Sequence, residues 1–386
     1  MWAKGFSAED TRAAFSRAAE LAAKSDDFSA RFTAREAQFR AASTEGELRF
    51  ARELALINLR EAEAAGRLWE ASVVNNQLGL VAYWQGDFIE ARTRCERALD
   101  AADASPGPND SERFGDRGTY ASSFLAATMW QLGEVERARE LIEAANRRAA
   151  ELGHAPSMAH PLQAKFFLEF LRGDTAAALA AAESLEALGR AQGMRWWREV
   201  AETRVVRARA RLLDPAAGAA ELQATLAAIE RRGKSMSRYW SMIAQLAELE
   251  LRTLGPGGAL ARIDEALAFA RQVESRSNLP FAHILRGEIL YKLDQTNPAP
   301  AEGAFRTAIA IAKEQGARSW GLRAAVPLAK LYQSTGRLGE AHAVLAPALE
   351  GFAPTPEMPE IAEAQTLLER LAHGGDGAIP VKDPAT

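Results

Sequence analysis

A chain of 386 residues is long enough for two or three ordinary globular domains, or for one elongated repeat array that needs no single large core. A net charge of -4 argues against general binding to nucleic acid or to an anionic membrane, and the single cysteine, Cys95, excludes an internal disulfide and fits a reducing compartment. With 25% charged residues, five Tyr, an abundance of Ala, Leu, Glu and Arg, and no stretch that alternates like a strand, the expectation is an all-α chain.

The first residues carry Lys4, Glu9, Asp10, Arg12 and Arg17, which leaves no apolar core for a signal peptide. The longest small-apolar run, residues 175–182, is bounded by Asp174 and Glu183 and is too short to span a bilayer, so a cytoplasmic location is expected. Residues 7–24 read as one amphipathic helix with Phe15, Ala18, Ala19 and Ala22 on its apolar side, like the second helix of a repeat whose first is missing. A freestanding solenoid begins with a polar cap, so an opening half-repeat implies that the chain continues a longer array or was cut there.

Helix pairs follow in series. The first joins 28–42 to 47–65 through Gly46, and the second runs from about 68 to about 104 around Gln85-Gly86-Asp87. After a loop at 105–118, dense in turn formers, come 119–132 with 134–152 about Gly133, then 157–172 with 175–191 about Gly173, where Asp174 is placed to cap the next helix. That loop reads equally as a linker or as a lip over a groove. A fifth pair, 195–213 with 216–231, breaks at Asp214-Pro215, and a sixth, 237–254 with 258–274, at Gly255-Pro256-Gly257. A seventh covers 279–293 and 299–315, an eighth 320–335 and 338–352, and a last helix 359–372. The division expected is a half-repeat at 1–27, a superhelical domain at 28–372 and a disordered tail at 373–386.

The best-formed unit is residues 78–98, LGLVAYWQGDFIEARTRCERA, which resembles a tetratricopeptide (TPR) unit. Gly79, Ala91 and Ala98 are small enough to let two antiparallel helices approach, and Leu78 and Cys95 fill the space beside them, so Cys95 is read as packing. Ala301, Phe305 and Ala308, and again Ala341, Leu345 and Ala348, repeat the pattern of Ala91, Cys95 and Ala98. From Gly46 to Gly86 is 40 residues, from Gly133 to Gly173 another 40, and from Gly173 to Asp214 and on to Gly255 41 each. A period near 40, against roughly 34 for the standard motif, predicts helices almost one turn longer and a wider TPR-like α-α superhelix of about eight helix pairs.

The segments RSWGLRAAVPLAKLYQSTGR at 318–337 and MPEIAEAQTLLERL at 358–371, in their order after the repeats above, resemble the C-terminal TPR region of bacterial signalling proteins. Those proteins begin with a class III adenylate/guanylate cyclase domain followed by a STAND-type AAA ATPase. The resemblance covers about residues 7–372 and implies a sensor or docking module whose chemistry belongs to upstream domains.

No catalytic site or cofactor is expected. Gly233-Lys234-Ser235 ends like a phosphate-binding loop, but Ala228 stands where its leading glycine should be, and a helix precedes it instead of a strand. His154 and His160 flank Pro156, and His283, His342 and His373 stand apart, so no zinc spacing exists. What remains is the concave face lined by the first helix of each pair. Its candidate ligand-binding residues are Asn76, Tyr83, Tyr120, Trp130, Gln163, Phe167, Arg204, Arg211, Gln245 and Arg252. The same register adds Ser123, His160, Phe170, Phe281, Glu288, Tyr291, Arg323 and Lys330, with aromatics in the first half and arginines in the second. Arg204, Arg207 and Arg211 share one helix face below Trp196-Trp197. They either pair with Glu199, Glu202 and neighbouring acids or hold an anion bidentately. The expected function is a non-catalytic interaction or sensor module taking a peptide, protein or small anionic effector. The partner could equally be upstream cyclase or ATPase domains of one polypeptide, and a self-assembling scaffold is the remaining alternative. Neither nucleic acid nor membrane is expected as a partner.

Overall fold

Strong helix formers interrupted at regular intervals by glycine leave the backbone one economical arrangement, helix upon helix, and the described residues form eighteen helices and no strand. The structure is a computed structural model that describes residues 9–104, 116–231 and 239–373. A single helix α1 (Glu9–Ala22) leads into α2 (Phe28–Glu45) and α3 (Leu48–Ala64), then α4 (Leu68–Gln85) and α5 (Phe88–Ala104). Next come α6 (Arg117–Leu132) and α7 (Val135–Leu152), α8 (Ala155–Arg172) and α9 (Thr175–Ala191), and α10 (Arg195–Leu212) and α11 (Pro215–Arg231). The series ends with α12 (Trp240–Thr253) and α13 (Pro256–Gln272), α14 (Leu279–Leu293) and α15 (Ala299–Glu314), α16 (Arg318–Ser334) and α17 (Leu338–Leu349), and α18 (Glu360–Ala372). Each helix packs on its successor, and the first helices of neighbouring pairs also touch, which makes a superhelix of eight pairs with α1 before it and α18 after it.

The local signals act through caps. Gly46, Gly86, Gly133 and Gly173 each end a first helix in the left-handed conformation, and Asp174 accepts a hydrogen bond from Ala177 N at 3.0 Å. Pro215 opens α11, where its missing N–H costs nothing. Of the loop at 105–118, residues 105–115 lie outside the described residues, as do Gly233-Lys234-Ser235 and the tail beyond His373. The described end of the loop is anchored: Asp116 caps α6 through Thr119 N at 2.7 Å and accepts from Arg148 Nε at 2.6 Å.

Within the pairs, small residues set the approach. Gly79 faces Cys95, and a Cβ there would lie 2.7 Å from Sγ. Ala91, Cys95 and Ala98 are fully buried, and burial first, then the charge of Glu96, pushes the Cys95 thiol up to about 12, so it packs as a protonated apolar group.

The longer helices do not leave an open trough, because the superhelix returns on itself. Helix α16 packs against α6, and one apolar core runs from Ala82 through Trp130 and Leu168 to Trp320 and Leu371. The last carbonyls of a helix lack partners within it, and three successive first helices find theirs across this seam. Trp84 O accepts from Arg276 N at 2.8 Å and Ser277 N at 3.2 Å, Trp130 O from Ser319 Oγ, and Leu171 O from Arg323. Ion pairs staple the same edge, Arg49 to Glu274 and Arg139 to both Glu169 and Glu357.

The close approach is testable at Gly218, where an added Cβ would fall inside the contact distance of the Ala210 carbonyl oxygen across the α10–α11 pair. Gly218→Ala should lower stability by about 1–3 kcal/mol through overpacking, although Ala favours a helix by about 1 kcal/mol. Gly303→Ala, at an exposed site with open space around it, should instead raise stability by about 0.5–1 kcal/mol. Urea denaturation of the two variants reads the difference in sign.

Candidate ligand-binding lumen

Because the superhelix closes, its concave face becomes the wall of an interior space built from first helices. The space has three sections. The N-terminal one is about 110 Å³ and includes Asn76, Gln77, Tyr120, His160, Trp196 and Trp197 in its wall. The middle one is about 270 Å³ and shares Tyr120, His160 and both tryptophans with the first. The C-terminal one, about 550 Å³, adjoins the middle through Phe167, Arg207, Ser241 and Asn278. The wall changes character along its length, from aromatic to ionic.

In the aromatic part the rings order one another. His160 stands edge-on between Tyr120 (4.5 Å) and Trp197 (4.9 Å), and Trp84 meets Phe167 edge-on at 6.2 Å. Burial, reinforced by the positive charge of Arg40, drives the His160 pKa down to about 3, so the ring is neutral at physiological pH. Burial raises the Tyr120 phenol, which stays protonated.

In the ionic part guanidinium groups lie over rings. Arg204 lies 5.0 Å from the Phe167 centroid, and Arg207 and Arg211 approach the Phe170 ring at 4.8 and 3.9 Å. Of the two readings for this trio, the structure divides them. Arg211 pairs with Glu248 at 3.2 Å and donates to Phe170 O, whereas Glu199 and Glu202 are taken by Arg195 and Arg198 on the same helix. Arg204 and Arg207 have no carboxylate within ion-pairing distance among the described residues; Arg204 donates to Val200 O, and Arg207 Nε to Gln245 Oε1 at 3.1 Å. Burial lowers Arg204 to about 10 and, with the like charges of Arg211 and Arg204 added, Arg207 to about 9. Both remain charged at neutral pH. Two cations half-buried without counter-ions are costly unless something anionic reaches them.

The candidate residues therefore occupy different environments. Phe167, Arg204, Arg211 and Arg252 face the lumen, Arg252 at an exposed position with no ion pair among the described residues. Gln163 lines the middle section and makes no hydrogen bond among the described residues. Asn76 and Gln245 line the wall but are committed: Asn76 Nδ2 donates to Arg117 O at 3.2 Å, and Gln245 Nε2 donates to Arg207 O at 2.7 Å, so Gln245 holds Arg207 in place. Tyr83 reaches the lumen from a core position, packed against Trp84 and Phe88, with its hydroxyl accepting from Gln131 Nε2. Trp130 corrects the reading of the register. It is 1% exposed and lines no section, because α16 covers it: Trp320 stands 6.4 Å away and Arg323 lies over its ring. Ser123 is also buried and lines no section, with Oγ donating to Thr119 O. Trp84, Ser241, Asn278 and Trp320 line the lumen and were not in the candidate set. Trp84 and Asn278 are brought there by the seam, which has no periodic signature. Among the described residues no cluster of His, Cys, Asp and Glu could hold a metal, and no helix is long and apolar enough to cross a membrane.

No protein-family model matches the chain, and no curated protein matches it. Solved structures do. A Rap protein complexed with competence and sporulation factor aligns over 95% of this chain and 93% of its own, with a TM-score of 0.54 at 12% identity. The Rap conjugation gene regulator of the plasmid pLS20, in complex with the Phr* peptide, aligns over 94% and 96%, with a TM-score of 0.52 at 9% identity. At such identities the likeness is one of fold, a TPR-like superhelix shared along nearly the whole chain.

The neutral state of His160 has a measurable consequence. The unfolded chain takes up its proton near pH 6.5 and the folded chain only near 3, so between these values the unfolded state binds more protons and stability falls as pH falls. Thermal unfolding midpoints from pH 7 to pH 4 should drop less steeply for His160→Gln than for the unsubstituted protein.

Proposed function

We propose that this chain is a non-catalytic regulatory module that takes a peptide or small anionic effector into its lumen and reports the occupancy to a protein partner. The observation that carries the reading is the pair Arg204 and Arg207, charged, half-buried and with no carboxylate in ion-pairing distance among the described residues, on the wall of the interior space. Guanidinium groups bind carboxylates and phosphates through paired hydrogen bonds, and the rings beside them offer apolar surface to the rest of a ligand. The total space suits a short peptide better than a folded domain, since ligand sites run to about 300–1,000 Å³. Both superhelices of like fold described above were solved with a factor or peptide bound, which fits the same use of the fold.

The sequence resemblance adds a finer version, in which the partner is an ATPase or cyclase domain of the same polypeptide and the lumen its sensor. On that version the chain alone, incubated with ATP and Mg²⁺ or Mn²⁺, forms no cyclic nucleotide and hydrolyses nothing.

The test of the central reading is affinity selection from a pooled library of short synthetic peptides, followed by calorimetry on the peptides retained. Arg204→Gln combined with Arg207→Gln should weaken an acidic peptide about ten- to a hundredfold, since a hydrogen bond to a charged group contributes about 1.5–3 kcal/mol. Arg209→Gln, which removes a partner of Glu221 on α11, should leave affinity unchanged. Equal binding by the double variant and the parent would sink the proposal.

A further inference from the structure

The charged groups around the C-terminal section of the lumen sort by whether they already have a partner. Arg211 is matched with Glu248 at 3.2 Å, Arg323 with Glu360 at 2.8 Å, and Lys330 with Glu363. Three groups of that wall are left without an ion pair among the described residues: Arg207, Arg252 and the carboxylate of Glu288. Opposite charges within reach of each other in a confined space pair. Arg207 and Glu288 do not, because they stand on α10 and α14 with α12 between them, and packed helices lie about 8–10 Å apart axis to axis. The wall thus presents a positive and a negative group that are not paired with each other.

We infer that the ligand of this lumen carries a cationic group together with its anionic one, the anion held by Arg207 and the cation, an amine of the lysine type, held by Glu288. The inference rests on the reading that the lumen binds a ligand, and it narrows the class from anionic effectors to peptides that bear both charges. Glu288 lines the C-terminal section and is exposed to the water of the cavity. The groups that act on it are Glu248 from α12, Lys330 from α16 and Lys292 one turn along α14. Lys330 is drawn off by Glu363, Glu248 repels, and Lys292 acts on Glu288 only from beyond ion-pairing distance, so among the described residues no cation is paired with this carboxylate. Enclosure first and the charge of Glu248 second lift the Glu288 pKa to about 7, against an opposing pull from the two lysines. In the empty protein the carboxyl therefore keeps its proton to a higher pH than a free glutamate does. A bound amine favours the ionised form, so binding expels a proton, and the affinity for amine-bearing ligands falls as pH drops through 7.

The probe is a pool of synthetic hexapeptides with acetylated N-termini, free C-terminal carboxyls, one lysine each and no arginine or histidine. It is used unmodified, with the lysine acetylated, and with the carboxyls amidated, and the retained peptides are counted by mass spectrometry. The protein should retain the unmodified pool about tenfold better than the lysine-acetylated pool, in line with a charge-assisted hydrogen bond. Glu288→Gln should bring that ratio to about one while keeping the preference for free over amidated carboxyls. Raising the pH from 6 to 8 should increase retention of the unmodified pool by the parent protein and not by Glu288→Gln. Because lysine stays charged throughout that range, the change reports on the protein. If the acetylated pool is retained as well as the unmodified one, or Glu288→Gln leaves the ratio unchanged, the lumen binds peptides without reading a cation and this inference falls alone. If no pool is retained, the reading of the lumen as a peptide site falls with it.

Discussion

The closeness with which paired helices approach is the constraint on which the rest of this molecule depends. Wherever the second helix of a pair meets the first, a small residue stands at the contact: Gly79 against Cys95, Gly218 against the Ala210 backbone, Gly287 under the Phe305 ring. A side chain at any of these points would hold the helices apart. Repeated from pair to pair, a nearly constant approach gives a nearly constant rotation, and the stack turns until α16 meets α6. Dispersion and the removal of apolar surface from water hold that meeting together, while unpaired helix carbonyls at Trp84, Trp130 and Leu171 find donors across it. The donors come from Arg276, Ser277, Ser319 and Arg323, about 150–190 residues further along the chain.

Closure alters the electrostatics of the concave face. In an open trough Arg204 and Arg207 would be solvated and unremarkable in energy. Enclosed between aromatic walls, they give up part of their hydration and keep their charge, stacking on Phe167 and Phe170. Gln245 spends both ends of its amide on Arg207, accepting from its Nε and donating to its carbonyl oxygen, which holds the side chain at the lumen wall. The acids of the opposite wall are mostly committed to cations of their own, and Glu288 is the exception. A surface of this kind selects by the arrangement of charge more than by apolar area.

Much of this was legible in the chain itself. The glycine period places the turns, and the helices observed at Thr175–Ala191 and Leu279–Leu293 have the bounds that sequence alone gives them; Gly173 ends the helix before the first of these and Asp174 caps its start through Ala177 N. The register also brings Phe167, Arg204 and Arg211 to the inner wall, since a helix that buries one stripe against its pair presents a predictable other stripe inward. It failed at Trp130, whose position in α6 is equivalent by spacing to lumen-facing positions elsewhere. There the seam lays α16 over the end of the helix, and the same seam turns Trp84 into part of the wall.

What the sequence by itself determined was therefore everything that depends on near neighbours: helical content, pair boundaries, the period and the inward stripe, all consequences of backbone sterics and of side chains three or four residues apart. Tertiary structure alone decided whether the inward stripe faces open water or an enclosed space, and which of its charges have partners. Those depend on a small rotation summed over many pairs, and on contacts such as Ser319 with Trp130 and Arg323 with Leu171 that no local pattern encodes.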